Sequence, residues 1–295
     1  MFLYSEPLSE RFLNPLPQEL HVSENTCSEA LLIRLLTGTL DIQHSTENKS
    51  YKARTNYSNL TYTTQNRISS GSIRNCFEAE SIDRIGEYLL LNNRGNKAFN
   101  ETLLLESTHL IVAKSNNDYL SSFVHLYRLL EFISYSFPLL HTSISNNYFG
   151  SFTALQKYFT NGGGELSFLI RFINDLFKGK PELLLSAEFN IPGNSAEIRD
   201  TLYRSIKQLL SEKNSSITYD DSLYQFHVEY KNLIDLIVFI RNRYFHFSTG
   251  TGIKNFKSSE IIDPNLFFEI IIDNSFNWIS RIYFEILANA LNQRT

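Results

Sequence analysis

Residues 230–252 read YKNLIDLIVFIRNRYFHFSTGTG, and the fold is decided on this stretch. Leu233, Leu236, Ile237, Ile240, Tyr244 and Phe247 recur at spacings of three and four. At about 3.6 residues per turn they share one wide apolar face, so the segment is an amphipathic helix that must bury that face within its domain or against another subunit. A second line, Asn232, Asp235, Phe239, Asn242 and His246, sets polar groups along an otherwise apolar helix. Gly250 and Gly252 mark its end, which places Arg241, Asn242 and His246 near a helix terminus.

Outward from this helix the texture stays helical. Helices are expected near 118–137, 151–160, 165–178, 195–212, 222–247 and 264–292, punctuated by Pro138, Gly162–Gly164, Pro181, Pro192–Gly193 and Pro264. Residues 118–292 therefore read as an all-α domain. Residues 1–105 form a second region of mixed α/β or β-rich character. It holds an amphipathic stretch at Ser28–Leu36 and the Tyr- and Thr-rich segment KSYKARTNYSNLTYTTQNRISSGSIR (49–74), whose composition favours strands and turns. Thr102–Lys114 fits a buried strand and the start of a helix equally well.

The chain has 295 residues, enough for one large domain or two modest ones, and its 42% hydrophobic and 20% charged content is that of a folded protein. A net charge of −4 excludes coating nucleic acid by bulk electrostatics, so such contact must be local. One local excess exists: Lys49, Lys52, Arg54, Arg67 and Arg74 stand against Glu47, interleaved with Tyr51, Tyr57 and Tyr62. Lys52 and Arg54 with these rings suit single-stranded RNA; a solvated hairpin explains them as well. Cys27 and Cys76 form no CxxC pair and cannot close a tetrahedral metal site, and His125, His141 and His227 have no metal-ligand spacing. Neither metal nor cofactor is expected. Gly162–Gly164 lacks the Lys-Ser/Thr ending of a phosphate-binding loop, and no GxGxxG, HExxH or GxSxG motif occurs. The N-terminus lacks a basic segment before an apolar core, and the longest apolar run, Leu233–Ile240, is interrupted by Asp235. No membrane span and a cytoplasmic location are expected.

Arg, Asn and His together suit a phosphodiester. Arg presents a rigid fork that matches phosphate oxygens, His titrates near neutrality, and Asn orients either partner by hydrogen bonding. The competing reading is a structural helix end whose His caps carbonyls and whose Arg makes an ion pair.

The run Arg241-Asn242-Arg243-Tyr244-Phe245-His246 resembles the R-N-x-x-x-H form of the R-x(4–6)-H motif of the HEPN superfamily, found at the end of a late helix in a four- or five-helix bundle. FVHLYRLLEFISYSF (123–137) resembles the early helix of that family, with Glu131 as its acidic residue. The likeness covers roughly 118–292. It implies a mainly α chain with a C-terminal HEPN-like bundle and a metal-independent endoribonuclease that cleaves RNA by 2′-hydroxyl attack, its site formed across a homodimer. Such proteins act as toxins, abortive-infection effectors and antiviral nucleases, so a regulatory or antitoxin protein is a further expected partner. Carried over, Arg241 stabilises the scissile phosphate, His246 transfers protons and Asn242 positions one of them, with Arg243 as an added RNA contact. Ser248 stands where nucleotidyltransferase-inactivated toxins have Tyr. A partly buried Glu131 needs a cation, and Arg241 or Arg243 would supply it; the alternative is a surface carboxylate paired with Arg128. Asp235 is too far along the helix to polarise His246. The alternative function is a non-catalytic helical module that binds a partner in a defence or regulatory complex.

Overall fold

The computed structural model describes residues 1–77, 82–144, 147–160, 165–193, 195–245, 255–257 and 261–293. Strand β1 (Phe2–Ser5) leads through the short helix α1 (Glu10–Leu13) into α2 (Ser28–Leu36). Strands β2 (Leu40–His44) and β3 (Lys49–Ala53) form a hairpin, and β1 pairs antiparallel with the other edge of β2. Leu40 faces Ala53 and Ile42 faces Tyr51 across the ladder, and all four are buried, which fixes the register. With β4 (Thr55–Asn56) and β5 (Thr63–Thr64), which pair with each other, the Tyr- and Thr-rich segment is strands and turns up to residue 70, and its last four residues form the short helix α3 (Gly71–Arg74). The chain leaves α2 through Gly38 at φ +70°, where a Cβ would lie 2.8 Å from the Arg54 carbonyl carbon. Only glycine fits that turn.

Helix α4 (Ile82–Ser115) takes in Thr102–Lys114, so that segment is helical. It passes through position 105, and its Leu103, Leu104, Leu110 and Ile111 join one hydrophobic core with residues of both sequence regions. Next come α5 (Tyr119–Ile144), α6 (Tyr148–Thr160), α7 (Glu165–Leu176), β6 (Ser186–Asn190), α8 (Ala196–Leu209), β7 (Ile217–Asp220), β8 (Gln225–Glu229), α9 (Tyr230–Tyr244) and α10 (Pro264–Gln293). Helix α5 packs on α4, α7 and α10, and α10 also touches β6 and α9. Trp278 of α10 is fully buried, its ring 5.0 Å from Phe177 and 4.8 Å from Tyr230. The chain is mainly α, and no helix among the described residues is long and apolar enough to cross a membrane.

Two expectations are corrected. The region 118–292 is not all α: β6, β8 and β7 form an antiparallel sheet in that order. Period-two burial drives it, with Ala187 and Phe189 on β6 and Phe226 and Val228 on β8 inside, and with the Phe189 and Phe226 rings stacked at 4.6 Å. The helix expected over 222–247 therefore begins only at Tyr230. Helix α5, expected to stop at 137, runs on through Pro138 to Ile144. Proline costs the helix one hydrogen bond, and buried Phe137 and Leu140 on either side hold the backbone in place. The glycine breaks at Gly162–Gly164, Gly250 and Gly252 lie outside the described residues.

Helix α4 kinks at Asn96 (φ −119°, ψ 21°), and a buried carboxylate spans the kink. Glu29 of α2 is 1% exposed; its Oε2 accepts from Asn92 Nδ2 at 2.6 Å and Asn100 Nδ2 at 3.3 Å, and its Oε1 from the Tyr283 hydroxyl at 3.4 Å. No cation is among these partners. Burial pushes the Glu29 carboxyl up to about 7, outweighing those hydrogen bonds. A raised value means that Glu29 supports the fold fully below its ordinary value and ceases to as pH rises through about 7. Between pH 5 and 8 the wild-type unfolding free energy should fall by about 2–3 kcal/mol more than that of Glu29→Gln. Urea unfolding at both pH values measures this, and parallel curves would rule Glu29 out.

Candidate functional site

Helix α9 buries Leu233, Ile234, Leu236, Ile237 and Ile240, which leaves its last turn as the place where polar groups emerge. The helix closes with the Phe245 N–H donating to the Arg241 carbonyl at 2.9 Å. Phe245 stacks on Phe123 of α5, and Tyr244 meets Phe268 of α10 edge-on. These contacts fix the azimuth of Arg241.

The Arg241 guanidinium lies over the Tyr127 ring, 4.4 Å from its centroid. Its Nη1 donates to Asn242 Oδ1 at 2.9 Å and its Nη2 to Glu131 Oε1 at 3.4 Å. Tyr127 and Glu131 stand one turn apart on α5, so one helical stripe supplies both the ring and the carboxylate. The Arg241 side chain remains 25% exposed and that of Glu131 43%. This is a guanidinium with its stem and one face fixed and with further N–H donors beyond the two in use. Such a group can meet an anion without first losing side-chain freedom.

Of the partners considered for Glu131, the fold selects Arg241. Arg128 turns instead to Glu106, donating at 3.0 and 2.6 Å, and His125 Nδ1 shares that carboxylate at 2.8 Å. Arg243 points elsewhere: it pairs with Glu212 at 2.5 Å and lies over the Phe239 ring at 5.2 Å. Asp235 is exposed. His246, with Phe247 and Ser248, lies outside the described residues.

Lys52 and Arg54 belong to the β2–β3 hairpin. Lys52 is exposed opposite Asp41, while Arg54 binds Asp41 at 2.5 Å and the carbonyls of Leu40 and Ala53. The Arg54 fork is thus occupied within its own hairpin, and none of these contacts reaches α9. His141 packs on Phe172, and burial lowers its affinity for a proton.

Tyr127 was not singled out from sequence for this role, although its i, i+4 spacing to Glu131 was a usable signal. Glu212 and Phe256, which flank Arg243, carried no such signal. No protein family, curated protein or solved structure matches the chain.

Proposed function

We propose that this protein is a metal-independent endoribonuclease of the HEPN kind, a toxin or antiviral effector that acts as a homodimer with a composite site. One observation supports this above the rest. Arg241 is stacked on Tyr127, fastened to Asn242 and Glu131, and still partly exposed at the end of a late helix, five residues ahead of His246.

In the reaction a 2′-hydroxyl loses its proton to a base and its oxygen attacks the neighbouring phosphorus. The bond from phosphorus to the 5′-oxygen breaks, and that oxygen takes up a proton, leaving a 2′,3′-cyclic phosphate and a 5′-hydroxyl. His246 serves the proton transfers, since imidazole exchanges a proton near neutral pH. Arg241 holds the non-bridging oxygens and stabilises the charge that builds on them. Asn242 and Glu131 keep the guanidinium in its pose.

The test is cleavage of a mixed RNA pool in EDTA by wild type and His246→Ala. Cyclic-phosphate ends from wild type and none from the variant are expected. Equal cleavage by both would overturn the assignment of His246, and an inert wild type, tested as the dimer, would favour the partner-binding module.

A further inference from the structure

A cleft of about 480 Å³ opens on the last third of α10, within the size range of small-molecule sites. Leu60, Phe77, Glu182, Arg281, Glu285 and Ala288 are among the residues that line it. Its walls thus come from the turn after β4, the stretch after α3, the segment before β6 and α10, where the two sequence regions meet. Phe268, which touches Tyr244 at the end of α9, and Arg281 are about 20 Å apart along α10 at about 1.5 Å per residue, so the cleft is separate from the Arg241 cluster.

Two carboxylates reach the cleft, and they are served unequally. Glu285 is buried and held by two cations: Lys180 Nζ donates to its Oε1, and Arg281 Nη2 donates to its Oε2 at 2.8 Å. Glu182 Oε1 meets the same Arg281 Nη2 only at 3.4 Å, and its Oε2 is buried without a hydrogen bond. Buried polar atoms in native proteins are nearly always paired, so an orphaned oxygen on the wall of a cleft marks a place for a donor that the protein itself does not supply. The terminal torsion of a glutamate is broad, so the carboxylate can turn this oxygen toward the cleft. Arg281 has the opposite want. Its guanidinium lies over the Phe177 ring, 5.6 Å from the centroid, and its Nε and Nη1 hydrogens have no acceptor among the described residues.

The charges of Glu182, Glu285, Arg281 and Lys180 cancel, which favours a neutral ligand over an ion or a phosphate strand. Guanine has the matching edge: its exocyclic amine and its N1–H donate in parallel, as a carboxylate requires, and the adjoining O6 accepts. With the amine on Oε2 and N1–H on Oε1, O6 falls on the side where Arg281 stands. Adenine would set its N1 lone pair against the carboxylate, two acceptors facing each other, and cytosine has one donor group on this edge in place of two. Leu60 and Phe77 give the ring an apolar wall.

We propose that this cleft binds a guanine nucleoside through Glu182 and Arg281, a ligand site distinct from the one at Arg241. Calorimetric titration of the full chain with guanosine, inosine and adenosine tests it, and no arm reads RNA cleavage, so the outcome is independent of the ribonuclease reading. Inosine keeps N1–H and O6 and lacks only the amine, so it should bind about tenfold more weakly than guanosine, the cost of leaving one buried acceptor unmet. Adenosine should bind more weakly than inosine. Glu182→Gln should bring guanosine and inosine within about twofold, with a thermal melt to verify the fold. Ala288→Leu, which fills the cleft and leaves the charged groups in place, should weaken guanosine at least about tenfold. Absence of guanosine binding to wild type, equal affinities for guanosine and inosine, tighter binding of adenosine, or an unchanged preference in Glu182→Gln would each overturn the proposal.

Discussion

Arg241→Ala is expected to lower single-turnover RNA cleavage by about a thousandfold, within the range seen when a preorganised charge at a phosphoryl or oxyanion site is removed. The fold should hardly notice. The pair with Glu131 is 25% and 43% exposed on its two sides, and such pairs contribute about 0–1 kcal/mol; the stacking on Tyr127 adds a similar amount. Rate and melting temperature measured on one preparation separate the two effects. Arg241→Lys keeps the charge and loses the fork, so it should fall between wild type and alanine. A wild-type rate in Arg241→Ala would remove this residue from the site.

The largest effect on stability is expected at Arg34. Its side chain is fully buried in α2, yet its donors are met. Nη1 donates to Glu6 Oε2 and to the Leu20 carbonyl, each at 2.7 Å; Nη2 donates to Glu6 Oε1 and to the Thr39 carbonyl, and Nε to Thr39 Oγ1 at 2.9 Å. One side chain thus ties the segment after β1, the turn at Leu20 and the start of β2 to α2. Arg34→Ala takes from Glu6 its cation and from the Leu20 and Thr39 carbonyls their side-chain donor, and should cost about 3–5 kcal/mol and lower the melting temperature by roughly 5–8 °C. Burial alone would raise the Glu6 carboxyl, but Arg34 and the N–H groups of Leu8 and Val22 outweigh it and hold it below the usual range. The sign is therefore opposite to that of Glu29. The contribution of Glu6 is present above its ordinary value and lost as acid protonates it, and this acid-sensitive component should shrink in Arg34→Ala, which keeps only the Leu8 and Val22 N–H donors. Calorimetry at pH 7 and pH 4 reads both effects.

Arg241 and Asn242 were legible because the motif is contiguous and lies at a helix end that periodicity locates. Glu131 was legible as a carboxylate in want of a partner, but the choice among Arg128, Arg241 and Arg243 was not. That choice depends on how α5 and α9 rotate against each other, which the buried contacts of Phe123, Tyr244 and Phe268 determine. Arg54 illustrates the converse: a basic residue beside tyrosines reads as an RNA contact, yet its fork is spent on Asp41 and two carbonyls of its own hairpin.

By itself the sequence determined what is local. The 3.6-residue recurrence in α5, α9 and α10 sets those helices and their buried faces, and the Tyr- and Thr-rich composition of 49–64 sets short strands. Tertiary structure alone decided what depends on distant neighbours. Gln225–Glu229 is a strand because β6 and β7 lie on either side to accept its backbone bonds, although an adjoining helical pattern would otherwise claim it. Arg241 rests on Tyr127, and Arg34 is buried against Glu6, for the same reason. The free energy of a ring under a guanidinium or a carboxylate against a buried cation exists only once residues remote in sequence are brought into contact, and the packing of whole helical faces dictates which residues those are.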